Sequence, residues 1–234
     1  MKTKSAVVTT LLFLSFLALP TPASAETKKS KPTTVSTSSP SAKKDKVEKV
    51  KCRTTRAVAQ SPARVLPPTS LLKKFPRTLT LQTNCGDIVI QTFARQAPVT
   101  ITVMSALANG GFFNRTLCHR LTTEGIFVLQ CGDPTATGSG GPEFRYRDEN
   151  LPAAGNANYS EGVVAMANSG PNTNGSQFFL VYKDTTLGPN YTIWGRITSG
   201  LEIVKYIAEG GVKDGTTDGT PLRTIAIDKA ITGN

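Results

Sequence analysis

The stretch Val163–Val181, which reads VVAMANSGPNTNGSQFFLV, decides the fold, and the rest of the chain is organised around it. The apolar runs at its two ends have the composition of buried strands. Its centre consists of turn-forming residues and side-chain amides that need hydrogen-bond partners. A sheet that holds such a polar loop in place, with two Phe beside it, is expected to present a functional site at its surface.

The net charge of +11 is concentrated at one end of the chain. Residues 1–76 contain fifteen of the 27 Lys and Arg but only three of the 16 Asp and Glu. The remainder is close to neutral, so the basic composition does not predict a nucleic-acid-binding surface for the folded part. We therefore expect no nucleic-acid partner.

The first 25 residues have the organisation of a secretory signal peptide. Lys2 and Lys4 precede an apolar run over 6–19, and Ala23-Ser24-Ala25 supplies the small residues of a cleavage site. The run is shorter than the ~20 residues that a membrane-spanning helix needs. We predict cleavage after Ala25 and a secreted or cell-envelope-associated protein.

Residues 26–76 are basic and rich in Pro, Ser, Thr and Lys, which predicts a disordered arm and linker. Over 26–50 the composition buries too little apolar surface to offset the loss of chain entropy on folding. Two interpretations of the arm stay open: a solvated spacer, or weak association with anionic lipid or cell-envelope polymer. The prolines of 51–76 exclude a regular helix or a central strand in that part.

From residue 77 the pattern is that of a folded domain, 77–232. Alternation over 78–83 and 87–93 around Asn84-Cys85-Gly86 predicts a β-hairpin. A helix is predicted to begin at Ala97-Pro98 and to end at Asn109-Gly110-Gly111, and a second helix is predicted over 200–209. Strand-like runs follow at 117–121, 126–131, 163–167, 177–181, 192–197 and 224–230. Many short strands with two isolated helices predict a mainly β fold, a closed antiparallel barrel whose ends the helices cover.

Few kinds of catalytic chemistry fit this sequence. A Ser-His-Asp triad would have to use His119, the single histidine, and no Gly-x-Ser-x-Gly is present. The absence of Cys-x-x-Cys disfavours zinc, and the acids of 143–149 alternate with Arg145 and Arg147, which indicates solvated charge rather than a metal site. The glycines of 132–141 lack the Lys-Ser/Thr of a phosphate-binding loop. A chemistry that needs no nucleophile, metal or cofactor is what remains.

Five motifs resemble those of the cyclophilin-type peptidyl-prolyl cis-trans isomerases. They are CHRL (118–121), GIFVLQCGDPT (125–135), GSGGP (138–142), DEN (148–150) and MANSGPNTNGSQFF (166–179). The resemblance covers about 77–232, and the sequence further resembles the exported cyclophilins of high-GC Gram-positive bacteria.

The resemblance implies a closed eight-stranded antiparallel barrel with two capping helices, in agreement with the pattern of the strands. It further implies a monomer that needs no cofactor, binds proline-containing polypeptides and accelerates X–Pro isomerisation during the folding of exported proteins. The alternative is a proline-peptide-binding module or holdase without turnover.

The resemblance assigns catalysis to Arg120, whose guanidinium stays charged and carries a rigid fork of donors. It assigns the proline pocket to Phe127, Val128 and Phe179 with Leu187 at the rim, and the rest of the groove to Gln130, Ala167, Asn168, Ser169, Gln177 and Tyr191. Strand geometry opposes part of this, since Phe127 and Val128 face opposite sides of a regular strand. Thr186 and Tyr191 stand where the family often has Trp and His, so we expect weak inhibition by cyclosporin.

The four cysteines, Cys52, Cys85, Cys118 and Cys131, indicate disulfides in an exported protein, with three possible connectivities. Cys118 and Cys131 begin and end the hairpin predicted from 118–121 and 127–131, so we predict that they pair. Cys52 then pairs with Cys85 and ties the proline-rich arm to the turn of the first hairpin.

Overall fold

The first strands lie where the alternating pattern begins. A computed structural model describes residues 49–234, so the predicted signal peptide and the arm up to residue 48 lie outside the described residues. Strands β1 (Thr78–Thr83) and β2 (Gly86–Thr92) form the predicted antiparallel hairpin, with Leu79 opposite Ile90. Both side chains are almost fully buried, because alternate residues of a strand face the same side of the sheet.

The remaining elements follow the predicted order. They are α1 (Pro98–Asn109), β3 (Thr116–Leu117), β4 (Arg120–Thr122), β5 (Val128–Cys131), β6 (Val163–Met166), β7 (Phe178–Val181), β8 (Ile193–Ser199), α2 (Leu201–Glu209), β9 (Asp218–Gly219) and β10 (Ala226–Gly233). The strands form one antiparallel sheet in the order β3-β10-β1-β2-β8-β6-β7-β5-β4-β9. The mainly β composition and the two helices are as predicted, whereas β9 has no counterpart among the predicted strands.

One apolar core lies between the inner face of the sheet and the helices. Phe178 of β7 is fully buried in it and packs edge-to-face against Phe113 and Trp194. Such aromatic contacts add to the stabilisation that burial of the ring area provides. Within 49–234, no helix is both long and apolar enough to cross a membrane.

A side chain from a distant part of the chain caps the first turn of helix α1. The Glu149 carboxylate accepts the N–H groups of Val99 and Thr100, at 3.3 and 2.6 Å. These donors have no partner inside the helix, and a negative charge there is favoured by the helix dipole. The interpretation of 143–149 as solvated charge was therefore wrong for Glu149, which caps a helix.

A single stretch of chain, 116–122, supplies strands near both ends of the strand order. Its first part, β3, pairs with β10, and its second part, β4, pairs with β5. The change of partner falls at Cys118 and His119, whose backbone N–H groups donate to the carbonyl oxygens of Ile225 and Gln130. The sheet has ten strands rather than the predicted eight, because one expected strand is divided here and because β9 is added. Among the described residues, no ladder joins the outermost strands β3 and β9.

Residues 49–77, here called the strap, form no helix or strand but lie against the domain. The Arg53 N–H donates to the Asn84 carbonyl at 2.8 Å, and the Gln60 N–H donates to the Pro134 carbonyl at 2.9 Å. Val65 packs against the core beside α1. Where it is described, the predicted linker is thus attached to the domain at several points along its length.

Both predicted disulfides are present. Cys118 pairs with Cys131, and Cys52 pairs with Cys85. The first bond is buried beside the β4–β5 pair, and the second joins the strap to the β1–β2 turn.

Replacing Cys118 and Cys131 together by alanine is expected to lower the free energy of unfolding by about 2–3 kcal/mol. The bond closes a loop of 13 residues, so its loss frees the unfolded chain. Urea unfolding of the double variant and of the parent protein measures the difference. An unchanged midpoint and slope in the double variant would contradict the expectation.

Candidate active site

Outward-facing side chains of β5, β6 and β7 form a second apolar cluster, on the opposite side of the sheet from the core. Val128 and Phe179 belong to it, whereas their neighbours Leu129 and Phe178 belong to the core, as strand alternation requires. A cavity of about 200 Å³ opens above this cluster. Its lining consists of Arg120, Ile126, Val128, Gln130, Ala167, Asn168, Phe179, Leu187 and Tyr191.

Arg120 lies at the edge of this cavity with its guanidinium held by two partners. Its Nε and Nη2 atoms both donate to the Asp218 carboxylate, at 2.7 Å each, and its Nη1 atom donates to Gln130 Oε1 at 3.1 Å. The hydrogen bonds to Asp218 raise the pKa of Arg120 above its ordinary value. The guanidinium is therefore a permanent cation with a defined orientation.

A chain of side-chain amides connects Arg120 with the loop that follows β5. Gln130 Nε2 donates to Gln177 Oε1 at 2.8 Å, and Gln177 Nε2 donates to the carbonyl oxygens of Gly138 and Gly140 at 2.9 and 2.8 Å. Carbonyl oxygens only accept hydrogen bonds, so they set which end of the Gln177 amide faces them. Gln130 is oriented in turn, and its oxygen rather than its nitrogen faces Arg120.

The buried carboxylate of Asp133 shapes the loop that carries Gly138 and Gly140. It accepts the backbone N–H groups of Thr135, Thr137, Gly138 and Gly140 at 2.8 to 3.1 Å. Burial alone would raise the pKa of Asp133, but hydrogen bonds from the Thr135 hydroxyl and from the backbone outweigh it and lower the pKa below its usual value. The carboxylate thus stays charged and holds the two carbonyls that orient Gln177.

Asp133→Asn is expected to lower the free energy of unfolding by about 2–3 kcal/mol at neutral pH, because an NH₂ group replaces an acceptor that faces N–H donors. The pKa of this carboxyl is lower in the folded protein than in the unfolded chain. The contribution of Asp133 to the free energy of unfolding is therefore complete above the pKa that this carboxyl has in the unfolded chain. It is lost as the pH falls through the lower pKa that the carboxyl has in the folded protein. Urea unfolding of both proteins between neutral and acidic pH tests this. An identical pH dependence of the two would count against the assigned role of Asp133.

Three aromatic rings support the far side of the cavity. The centroids of Tyr159, Phe179 and Tyr191 lie 5.6 to 6.1 Å from one another. The Tyr159 hydroxyl donates to the Tyr191 carbonyl at 3.1 Å and accepts the Tyr191 N–H at 3.0 Å. Burial raises the pKa of Tyr159 to about 12, so the phenol stays protonated and keeps both contacts. Tyr159 was not predicted, since the Asn- and Ala-rich segment around it has no periodic pattern.

The structure brings most of the predicted site residues together. Eight of them line the cavity: Arg120, Val128, Gln130, Ala167, Asn168, Phe179, Leu187 and Tyr191. Ser169 and Gln177 lie in an adjoining polar recess of about 180 Å³ that shares Gln130, Ala167 and Asn168 with the cavity. The two spaces share this part of their lining, and together they are here called the groove.

Phe127, which the resemblance assigns to the proline pocket, is the exception, because it does not line the cavity. Its ring packs edge-on against Tyr182, with 6.0 Å between centroids, and lies 4.3 Å from Lys183 Nζ. Strand alternation turns it away from the side that Val128 faces, and Ile126 lines the cavity instead. Ile126, like Asp218, was not among the predicted site residues.

The described residues offer neither a metal site nor a triad. No group of three or more His, Cys, Asp or Glu among residues 49–234 is placed to hold a metal ion. Both ring nitrogens of His119 are buried without a hydrogen-bond partner in the described part of the chain, so no serine is activated by it there.

An antiparallel β fold with two helices and an outward apolar pocket edged by an arginine defines a cyclophilin-like domain. The family model described as cyclophilin type peptidyl-prolyl cis-trans isomerase/CLD matches residues 78–232. The chain belongs to this family, as the sequence motifs indicated.

Relatives and solved structures agree with this membership. The chain is 43% identical over 159 residues to the probable peptidyl-prolyl cis-trans isomerase B of Mycobacterium leprae, and 41% identical over 165 residues to that of Mycobacterium tuberculosis. These matches cover 63% and 66% of the chain but 54% of each relative, so the chain spans about half the length of these relatives. A crystal structure of a Cryptosporidium parvum cyclophilin matches with a TM-score of 0.59 and 29% identity, covering 69% of this chain and 99% of that one. The same cyclophilin was also solved in the presence of the dipeptide Ala-Pro.

Proposed function

We propose that this domain is a peptidyl-prolyl cis-trans isomerase that accelerates rotation about X–Pro bonds. The observation that carries the proposal is the guanidinium of Arg120, held in a fixed orientation at the edge of an apolar cavity. Rotation about a peptide bond has a barrier of about 18–20 kcal/mol, because the nitrogen lone pair is shared with the carbonyl. A donor that localises this lone pair on nitrogen lowers the barrier.

In this structure Arg120 is such a donor, and it lies at the edge of the apolar cavity. With the proline ring on Val128 and Phe179, the guanidinium faces the amide from the cavity edge. Its hydrogen bond to the proline nitrogen becomes strong only when that nitrogen turns pyramidal in the twisted state. Interactions that strengthen in the transition state are the ones that accelerate a reaction. The reaction proposed here uses no cofactor and moves no proton at the protein.

The polar recess receives the chain on one side of the proline. Ser169 and the backbone of Asn168 present hydrogen-bonding groups there, and extended peptide needs such partners for its own N–H and C=O groups. The Asn168 side chain is already engaged, since its Nδ2 donates to the Asn190 carbonyl at 2.8 Å. That bond holds the edge of the groove in place, and it leaves the backbone N–H and C=O groups of Asn168 available to a bound peptide.

The experiment must separate an isomerase from a module that only binds. A protease-coupled assay with an Ala-Pro-Phe peptide measures the cis-to-trans rate against protein concentration, and calorimetry measures peptide binding. We expect a rate constant that rises linearly with protein concentration well above the uncatalysed rate. Peptide binding without any acceleration would overturn the proposal and establish the binding module or holdase.

Inhibition by cyclosporin is expected to be weak. Thr186 is exposed and its hydroxyl accepts the Ala157 N–H at 2.9 Å, so it contributes no large apolar face to the cavity rim. Thr186→Trp is expected to tighten inhibition at least tenfold, since an aromatic ring adds apolar contact area. Titration of cyclosporin into the peptide assay with both proteins measures this. Equal inhibition constants would contradict the role given to residue 186.

We also propose that the sheet closes into the eight-stranded barrel of the family. Supporting this, one stretch of chain, 116–122, pairs with β10 at its start and with β5 at its end. Counting β3 and β4 as one strand and leaving out the two-residue β9 gives eight strands. Hydrogen exchange tests it, because closure predicts slow exchange of the Cys118 and His119 amides, whereas an open sheet leaves them fast.

We further propose that the protein is monomeric and works outside the cytoplasmic membrane on polypeptides that fold there. The predicted signal peptide and the two disulfides support this setting. Recovery of a secreted or envelope-associated chain beginning at residue 26 is expected, and a cytoplasmic chain that retains Met1 would overturn it. Co-sedimentation with anionic vesicles at low and high salt separates the two interpretations of the basic arm.

A further inference from the structure

Asp218 makes the closest polar contacts of Arg120. Both oxygens of its carboxylate accept from the guanidinium, from Nε and from Nη2, at 2.7 Å each. Paired bonds of this kind fix the plane of the guanidinium as well as its position. Gln130 accepts from the third nitrogen, so every nitrogen of Arg120 has a protein partner.

A β-hairpin carries Asp218 to this position. Val212 and Pro221 form a bridge at its base, and β9 at its tip pairs with β4, with Asp218 opposite Thr122. Arg120 lies two residues along β4 from Thr122, where the diagonal neighbours on one face of a sheet lie within reach of long side chains. The Thr216 hydroxyl lies 3.1 Å from the Asp218 carbonyl oxygen, but its single proton is donated to Asp214 Oδ1, at 2.6 Å.

These contacts leave part of the guanidinium free for the substrate. The guanidinium has five N–H groups. Asp218 takes two of them and Gln130 takes one. The two that remain lie on Nη1 and Nη2, so the occupied edge is held by the protein while one donor on each terminal nitrogen is available to a bound peptide.

We propose that Asp218 is a positioning residue for the isomerisation reaction, which holds Arg120 in the orientation that the twisted X–Pro amide requires. This inference rests on the proposed function. Arginine is a long side chain with many rotamers, and without Asp218 only the single bond to Gln130 would restrain its guanidinium. A catalytic group that is already oriented loses little entropy when the reaction occurs, so Asp218 acts on turnover more than on peptide binding.

The test compares Asp218→Ala, Asp218→Asn and Asp218→Glu with Asp214→Asn. Asp214 is a matched control, because it belongs to the same hairpin and accepts from Thr216 rather than from Arg120. NMR line-shape analysis of a proline peptide gives the turnover rate and the affinity separately. We expect Asp218→Ala to lower kcat about tenfold with KM changed less than twofold. Asp218→Glu should recover part of the loss, and Asp214→Asn should equal the parent.

Three outcomes would overturn the proposal: parental kcat in Asp218→Ala, an equal loss in Asp214→Asn, or a rise in kcat, which would make Asp218 a gate that blocks Arg120. A second measurement keeps failure of this proposal distinct from failure of the proposed function. The ¹⁵N relaxation of Arg120 Nε reports its rigidity without any turnover. Loss of rigidity in Asp218→Ala beside an inactive parent would support the positioning contact but refute the isomerase. An Nε equally rigid in Asp218→Ala would refute the contact alone.

Discussion

Arg120→Ala is expected to lower kcat/KM for a proline peptide by about 10²–10³-fold, the usual cost of removing one donor that stabilises a transition state. The loss should fall mainly on kcat, because the apolar wall of Val128 and Phe179 that holds the proline ring is intact. Stopped-flow protease-coupled assays of the variant and its parent give both constants.

The folded state should survive this substitution. The Arg120 side chain is 37% exposed and that of Asp218 is 52% exposed, so the carboxylate left behind is hydrated rather than buried. Arg120→Lys is the matched control, since it keeps the charge but loses the fork of donors, and its activity should be intermediate. Activity of Arg120→Ala within threefold of the parent would remove Arg120 from the mechanism.

Gly132→Ala is expected to combine a large loss of stability with a loss of activity. Gly132 has φ of +90°, and a Cβ there would lie 2.3 Å from the Ser176 carbonyl oxygen and 3.0 Å from Gln177 Cα. The left-handed conformation and the backbone clash together cost about 2–5 kcal/mol. Relief of the clash must move the segment that carries Gln177, which breaks the amide chain to Arg120.

Gly211→Ala separates these two causes. Gly211 also has a positive φ, of +75°, but its Cβ would meet no atom within 4 Å. It should therefore cost only the conformational part, about 1–2 kcal/mol, and leave isomerase activity at the parental level. Urea unfolding and the peptide assay on both variants measure this. If Gly132→Ala matched Gly211→Ala in both, the close approach of Gly132 to the Gln177 segment would have no energetic consequence.

Local sequence patterns were sufficient to predict most of the helices and strands. Alternation around Asn84-Cys85-Gly86 predicted the first hairpin, and Pro98 with Gly110 bracketed α1 closely. These signals are local, because a turn or a helix end depends on the residues within it. The division of the strand at Cys118 depends instead on which strand each half pairs with, β10 or β5. The residues next to Cys118 in the sequence do not indicate this pairing.

Site residues that lie within the long sequence motifs were predicted, whereas residues that only tertiary contacts bring to the site were missed. Arg120, Gln130 and Gln177 lie in quoted motifs, and the structure joins them in one hydrogen-bonded chain. Asp218 is 98 residues from Arg120 on a two-residue strand, so no local pattern marks it. For Phe127, the alternation rule and the family assignment disagreed, and the structure follows the alternation rule.

The strap is joined to the domain by two covalent routes, the main chain through residue 77 and the Cys52–Cys85 bond. Arg56, Arg64 and Lys73 are exposed basic residues of the kind that trypsin-like proteases recognise, and these three lie between the two attachments, whereas exposed Lys49 and Lys51 precede Cys52. A single cut at any of these three opens a ring without dividing the molecule. After such a cut, separation of the basic arm from the domain requires a second chemical event, reduction of the Cys52–Cys85 bond, so in an oxidising compartment a chain nicked there would keep its arm.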